Sequence, residues 1–183
     1  MCRRLHRIGL VYAVAAVVAL GASQPAFAAD KAQGTMGAPT VDADGSVRVE
    51  MLVSCTPAEV QALLADPIRA HSLSPDIASI SRGSTSGACT ELNISAKAVG
   101  GSTMDYRAQR CRTALGWRES LVESSSFTHM DTEWTVESTD AGTRVVLRVR
   151  TAVTGLPDFL VRSSVSRGVS TTATNLLIAL GVR

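Results

Sequence analysis

Residues 157–181, PDFLVRSSVSRGVSTTATNLLIALG, decide the fold, because they read as one helix of about six turns with both ends marked. Pro157 suits a first helical turn, where its missing N–H costs nothing, and Gly181 is a good C-terminal stop. Val161, Val165, Val169, Thr172, Ala173, Leu176 and Leu180 recur every three or four residues and lay an apolar stripe along one side. Such a stripe needs a surface to bury against. The chain from Val47 to Val153 reads mainly as alternating strands, so the expected partner is the concave face of a curved antiparallel sheet, an α+β container.

Working back from the helix, strands are expected at about Ile77–Arg82, Cys89–Val99, Met104–Thr113, Trp117–Glu123, Met130–Glu137 and Thr143–Val153, with turn compositions between them. An earlier strand is marked by Val47, Val49, Met51 and Val53 alternating with Arg48, Glu50, Leu52 and Ser54. Thr56-Pro57-Ala58-Glu59 then reads as a capping box opening a helix that carries Val60, Leu63 and Leu64 and stops near Asp66-Pro67. A further helical turn fits between Ile68 and Pro75.

The strands flanking Gly100-Gly101 set a register. Leu92, Ile94, Ala96 and Ala98 form the apolar face of one, and Met104, Tyr106 and Ala108 that of the other. For these even-numbered faces to coincide, opposed residue numbers must sum to an even value such as 200 or 202. The first choice puts Cys89 directly opposite Cys111, and the second puts them one diagonal step apart. Either predicts a Cys89–Cys111 disulfide, leaving Cys55 as a small buried hydrophobe. The same parity points Arg110 inward.

At the N-terminus, Arg3, Arg4 and Arg7 precede the apolar run Ile8–Ala22, and Ala26-Phe27-Ala28 is a small-x-small site. This predicts a secretory signal peptide over 1–28, cut after Ala28. The run falls short of the ~20 residues a spanning helix needs. Residues 29–45, rich in Ala, Gly, Asp and Thr, read as a flexible leader, and 46–183 as a single domain. The signal takes three of the 18 Lys and Arg and none of the 16 Asp and Glu, so the net charge falls from +2 to −1. With no basic cluster left, nucleic acid is not an expected partner.

The elements also carry a resemblance. Val49–Asp66, the late strand Met130-Asp131-Thr132-Glu133-Trp134-Thr135-Val136, Gly142-Thr143-Arg144-Val145 and the closing helix Leu156–Leu180 resemble the START-like, or SRPBCC, superfamily. Within it the chain looks most like polyketide cyclase/dehydrase and coenzyme-Q-binding-protein lipid carriers. The resemblance implies a helix-grip (START/Bet v 1-like) fold with a curved seven-stranded sheet around the helix and an apolar cavity. It turns the inward faces into a lining: Leu92, Ile94, Ala96, Met104, Tyr106 and Ala108 on one wall, Met130, Thr132, Trp134 and Leu147 on the next, and Val161, Val165 and Val169 on the helix. Small alanines in the first wall leave volume.

The implied function is an exported protein, periplasmic or secreted, that holds a lipid, quinone or sterol-like terpenoid for transport or sensing. As a monomer it would touch membranes transiently. The rivals are a cyclase or dehydratase using the same cavity and a filled-core envelope interaction module. No catalytic residue, cofactor or metal site is expected: His71 and His129 have no metal-ligand spacing, and there is no nucleophile elbow or phosphate-binding loop. His129, near a strand start, and Arg110 are the polar groups read as able to face the cavity.

Overall fold

The computed structural model describes residues 33–97 and 102–182. The signal peptide, Ala98 and the Gly100-Gly101 turn therefore lie outside the described residues. The elements run β1 (Gly34–Met36), β2 (Thr40–Val41), β3 (Val47–Val53), α1 (Pro57–Ala65), α2 (Pro67–His71), β4 (Ile77–Ser86), β5 (Cys89–Lys97), β6 (Thr103–Arg112), β7 (Gly116–Ser124), β8 (Phe127–Thr139), β9 (Gly142–Val153) and α3 (Asp158–Ala179). The strands form one antiparallel sheet in the order β1-β3-β9-β8-β7-β6-β5-β4, with β2 also on β3.

The described sheet has nine strands where seven were expected. The two extra ones fall in the stretch read as a leader: Gly34–Met36 and Thr40–Val41 pair with the outer edge of β3. Segments of three and two residues are too short to show an alternation. They are held by backbone pairing to β3, a tertiary effect.

Local chemistry sets the helices as their sequences indicate. Thr56 accepts from the Glu59 amide while the Glu59 carboxylate accepts from the Thr56 amide at 2.9 Å, which closes the capping box over α1. Asp66 ends α1 and caps α2 through the Ile68 amide. Pro157 caps α3, and its far end closes with Val182 N–H donating to Leu177 and Gly181 N–H to Ile178, Gly181 standing at φ 72°. That paired closure needs a left-handed residue, which glycine supplies at little cost.

The stripe on α3 packs as expected. Val169, Ala173, Leu176 and Leu180 join Val49, Met51, Val145, Leu147, Trp117 and Trp134 in the main core. At the β7–β8 contact a Cβ on Gly116 would stand 2.1 Å from the Trp134 carbonyl oxygen, so the close approach of these two strands depends on glycine.

The β5–β6 register is the one with sum 200: Leu92 faces Ala108, Ile94 faces Tyr106, and Cys89 faces Cys111. Cys89 and Cys111 are disulfide-bonded. The expectation of a lone thiol at Cys55 is corrected, because Cys55 is also disulfide-bonded and none of the described cysteines is free.

Candidate functional site

The strand alternation sends two sets of apolar side chains to the inner face, and the structure keeps them apart. Leu92, Ile94, Ala96, Tyr106, Ala108 and Met130 form a cluster of their own, joined by Ile77, Ile80, Leu121 and Phe127. Met104 is half-buried at the start of β6. Trp134, Leu147 and Val169, with Val165 at the margin, belong instead to the main core under α3. Val161 is buried, in neither cluster, and Thr132 is half-buried. The predicted lining is therefore divided. Its first wall is a separate apolar compartment, which Met130 of the second wall joins, while Trp134 and Leu147 of that second wall are part of the core.

A polar group lies on the strands between the two. Along β7, Trp117 belongs to the core, Leu121 to the second cluster, and Glu119 stands between them, opposite Arg110 on β6. Arg110 and Glu119 are 5% and 3% exposed, so this is an ion pair held out of water. Arg110 Nη1 is 3.5 Å from Glu119 Oε2, and Arg110 Nη2 donates to the Leu64 carbonyl at 2.8 Å. The guanidinium also lies 5.7 Å from the centre of the Trp117 ring.

His71, at the end of α2, completes the group. Its Nε2 is 3.1 Å from Glu119 Oε1 and its Nδ1 is 2.8 Å from the Pro67 carbonyl oxygen. Burial pushes the Glu119 carboxyl up, but the His71 hydrogen bond and charge and the Arg110 charge outweigh it and hold it below the usual carboxylate range. Arg110 is lowered by burial, with Glu119 opposing the shift. Burial, reinforced by the Glu119 charge, pushes the Tyr106 phenol well above its ordinary value, so it stays a neutral hydroxyl.

Two depressions lie along the sheet. A furrow of about 560 Å³ runs over β4 to β7 past Ser79, Ser81, Asn93, Ser95 and Arg107, and one of about 220 Å³ is bordered by Asp44, Ser46, Arg118 and Arg148. Arg107 in the furrow pairs with Glu91 and Glu123, and Arg148 with Asp44. The smaller has no apolar residue in its lining, whereas the furrow adjoins the second cluster through Ile80, Ile94 and Tyr106. The candidate site is the inner compartment of Leu92, Ile94, Tyr106, Ala108 and Met130 with the Arg110–Glu119–His71 group at its border.

Of the polar residues singled out in the sequence, Arg110 is in this site. His129 is not: it is half-exposed beside a β-bulge, 3.4 Å from the Asp131 carboxylate. The site uses His71 and Glu119 instead. A signal for Glu119 was present, since Trp117, Glu119 and Leu121 alternate on one face of their strand. Nothing in the sequence placed His71 beside it, because that contact spans 48 residues.

The geometry defines a helix-grip α+β protein, a curved antiparallel sheet closed by its C-terminal helix. The chain belongs to the polyketide cyclase/dehydrase and lipid transport family, which it matches over residues 44–179. The sequence matches no curated protein. Among solved structures it is similar to the Thermus thermophilus protein TTHA0849, with 22% identity and a TM-score of 0.61 over 72% of this chain and 93% of that one. It is also similar to the Zhui aromatase/cyclase of Streptomyces sp. R1128, with 15% identity and a TM-score of 0.55 over 82% and 92%. A STAR-related lipid transfer protein from Xanthomonas axonopodis is 15% identical, with a TM-score of 0.57 over 75% and 94%. At these identities the structural likenesses establish the fold.

Proposed function

We propose that the protein is exported and holds one hydrophobic small molecule, of the lipid, quinone or terpenoid kind, in the compartment beside the core, for transport or sensing. The observation that carries this is the second apolar cluster. A sheet that served only to bury α3 would need one core, yet six buried residues gather separately, two of them alanines, with a buried ion pair at their border. Family membership supports the reading, as does the aromatic pair Tyr106 and Phe127, 5.1 Å apart edge to face, which offers a ring-lined wall. Burial of apolar ligand surface supplies affinity at roughly 25 cal/mol per Å². The inner cluster is closed in this structure, its buried members 0–8% exposed, so binding takes a displacement of a covering element. Export rests on the signal-peptide pattern of 1–28, and a disulfide fits an oxidising compartment.

The test is a titration of the full chain, purified without detergent, with a lipid, a quinone and a sterol, read by the emission of Trp117 and Trp134. Saturable one-to-one change with any of them supports the reading, and no saturable change with all three opposes it. A second reading, an envelope interaction module with a filled core, is favoured by the exposed Leu156, Phe159 and Leu160 at the start of α3.

A further inference from the structure

A stretch of β5 carries a signal that the inner compartment does not use. Glu91-Leu92-Asn93-Ile94-Ser95 contains asparagine, then a residue other than proline, then serine, which is the acceptor sequence for an asparagine-linked glycan. The chain's other asparagine, Asn175, is followed by Leu176 and Leu177 and donates to the Leu73 carbonyl, so it lacks the signal. A three-residue pattern recurs by chance. The placement of Asn93 in the fold is what gives this one weight.

Leu92 and Ile94 turn into the second apolar cluster, so Asn93 between them turns the other way and is exposed. Its amide makes no hydrogen bond among the described residues, so replacing one of its N–H bonds strands no partner. Ser79, Ser81 and Ser95 line the furrow beside it, small side chains that leave room for a sugar ring and offer hydroxyls to it. Arg107, opposite Asn93 on β6, is held by Glu91 and Glu123.

We propose that Asn93 is a glycosylation site, used between export and folding. This rests on the reading that the chain is exported, and it adds a covalent modification to that reading. The donor is an oligosaccharide carried on a polyprenyl diphosphate, and a membrane oligosaccharyltransferase catalyses the transfer. Asn93 Nδ2 bonds to the anomeric carbon, the bond from that carbon to the diphosphate oxygen breaks, and polyprenyl diphosphate leaves with the bonding pair and takes up the amide proton. The segment is open to such an enzyme only before the sheet forms, because in the fold Asn93 is paired with Ser81 of β4 on one side and Arg107 of β6 on the other. At that stage Glu91 is not yet held by Arg107, and its carboxylate, two residues before the acceptor, is a further point by which a cationic enzyme site can hold the chain.

The folded molecule gains from this placement. β4 is an edge strand of ten residues, and among the described residues no strand pairs with its outer side. Asn93 stands one strand in from that edge, so a glycan there shields it against pairing with another chain.

The test expresses the full chain with its own signal in a bacterium whose periplasm holds an asparagine oligosaccharyltransferase and its lipid-linked oligosaccharide, beside a reference acceptor protein that reports transfer. The intact mass of the purified chain and the fragment masses of its peptides are read. The expected result is a species heavier by one oligosaccharide, with the added mass on Asn93 and none on Asn175. Asn93→Gln and Ser95→Ala are expected to lose it and Ser95→Thr to keep it, and the reading on the native chain depends on no variant folding. A chain with its signal removed that carries no oligosaccharide, while the reference acceptor does, would overturn the proposal and leave export standing. A glycan that persists in Ser95→Ala would sink it as well, because attachment would not follow this acceptor sequence. A chain found only with its signal uncut would remove export, and the proposal with it.

Discussion

Arg110 and Glu119 face each other across β6 and β7 with 3.5 Å between Nη1 and Oε2, and both are almost wholly buried. An ion pair at this depth is held for its geometry more than for its energy, because desolvating two charges offsets most of their attraction. Its breakage is a different matter. Arg110→Met or Glu119→Leu alone strands a buried charge and is expected to cost about 3–5 kcal/mol. Replacing both, as Arg110→Met with Glu119→Leu, is expected to cost clearly less than the sum. Urea unfolding of the four proteins in a double-mutant cycle measures this, and strict additivity would mean the two side chains do not interact.

The same carboxylate sets a pH dependence. Glu119 is held below its unfolded-state value, so the stability it contributes is fully present above that value, about 4.3, and is lost as pH falls through the lower folded one. The stability gap between the native chain and Glu119→Gln is expected to be constant from about pH 7 to 5 and to shrink below about pH 4. Urea midpoints measured at intervals across that range and below it give the curve. A gap that widens with acid would reverse the sign of the shift.

The Cys89–Cys111 bond closes a loop with a sequence separation of 22. Loop-closure entropy puts its contribution at up to about 3 kcal/mol, less to the extent that the hairpin persists in the unfolded chain. Cys89→Ser with Cys111→Ser is expected to lower the melting temperature and leave the circular dichroism of the folded state unchanged. An unchanged melting temperature would show that the bond adds nothing.

Two glycines are expected to behave differently on conversion to alanine. Gly181→Ala meets no neighbour and loses stability only through its φ of 72°, about 1 kcal/mol. Gly116→Ala drives a Cβ to within 2.1 Å of the Trp134 carbonyl oxygen and must move β7 away from β8. Thermal melts of the two should rank Gly116→Ala well below Gly181→Ala, and equal losses would contradict the close approach.

Much of this fold was legible because its signals are local. The α3 stripe, the capping box at Thr56 and the parity of Leu92 to Ala108 each fix an element without knowledge of the rest. The parity even included the register that opposes Cys89 to Cys111. The edge strands β1 and β2 were not legible, because backbone pairing to β3 orders them whatever their side chains are. The site was half legible. Arg110 followed from alternation, and so could Glu119, but the approach of His71 depends on how α2 folds back over the sheet. The division of the lining into two clusters was illegible for a similar reason. Parity says which face Trp134 and Ala108 share, and the curvature of the sheet says which of them α3 covers.

Whether the inner compartment carries a hydrophobic molecule is tested by native mass spectrometry before and after organic extraction. The chain is to be expressed with its own signal and purified without detergent. The expected result is a discrete adduct that extraction removes, or a one-to-one adduct that forms when lipid, quinone and sterol mixtures are added. A bare mass that stays unchanged through both treatments would contradict it.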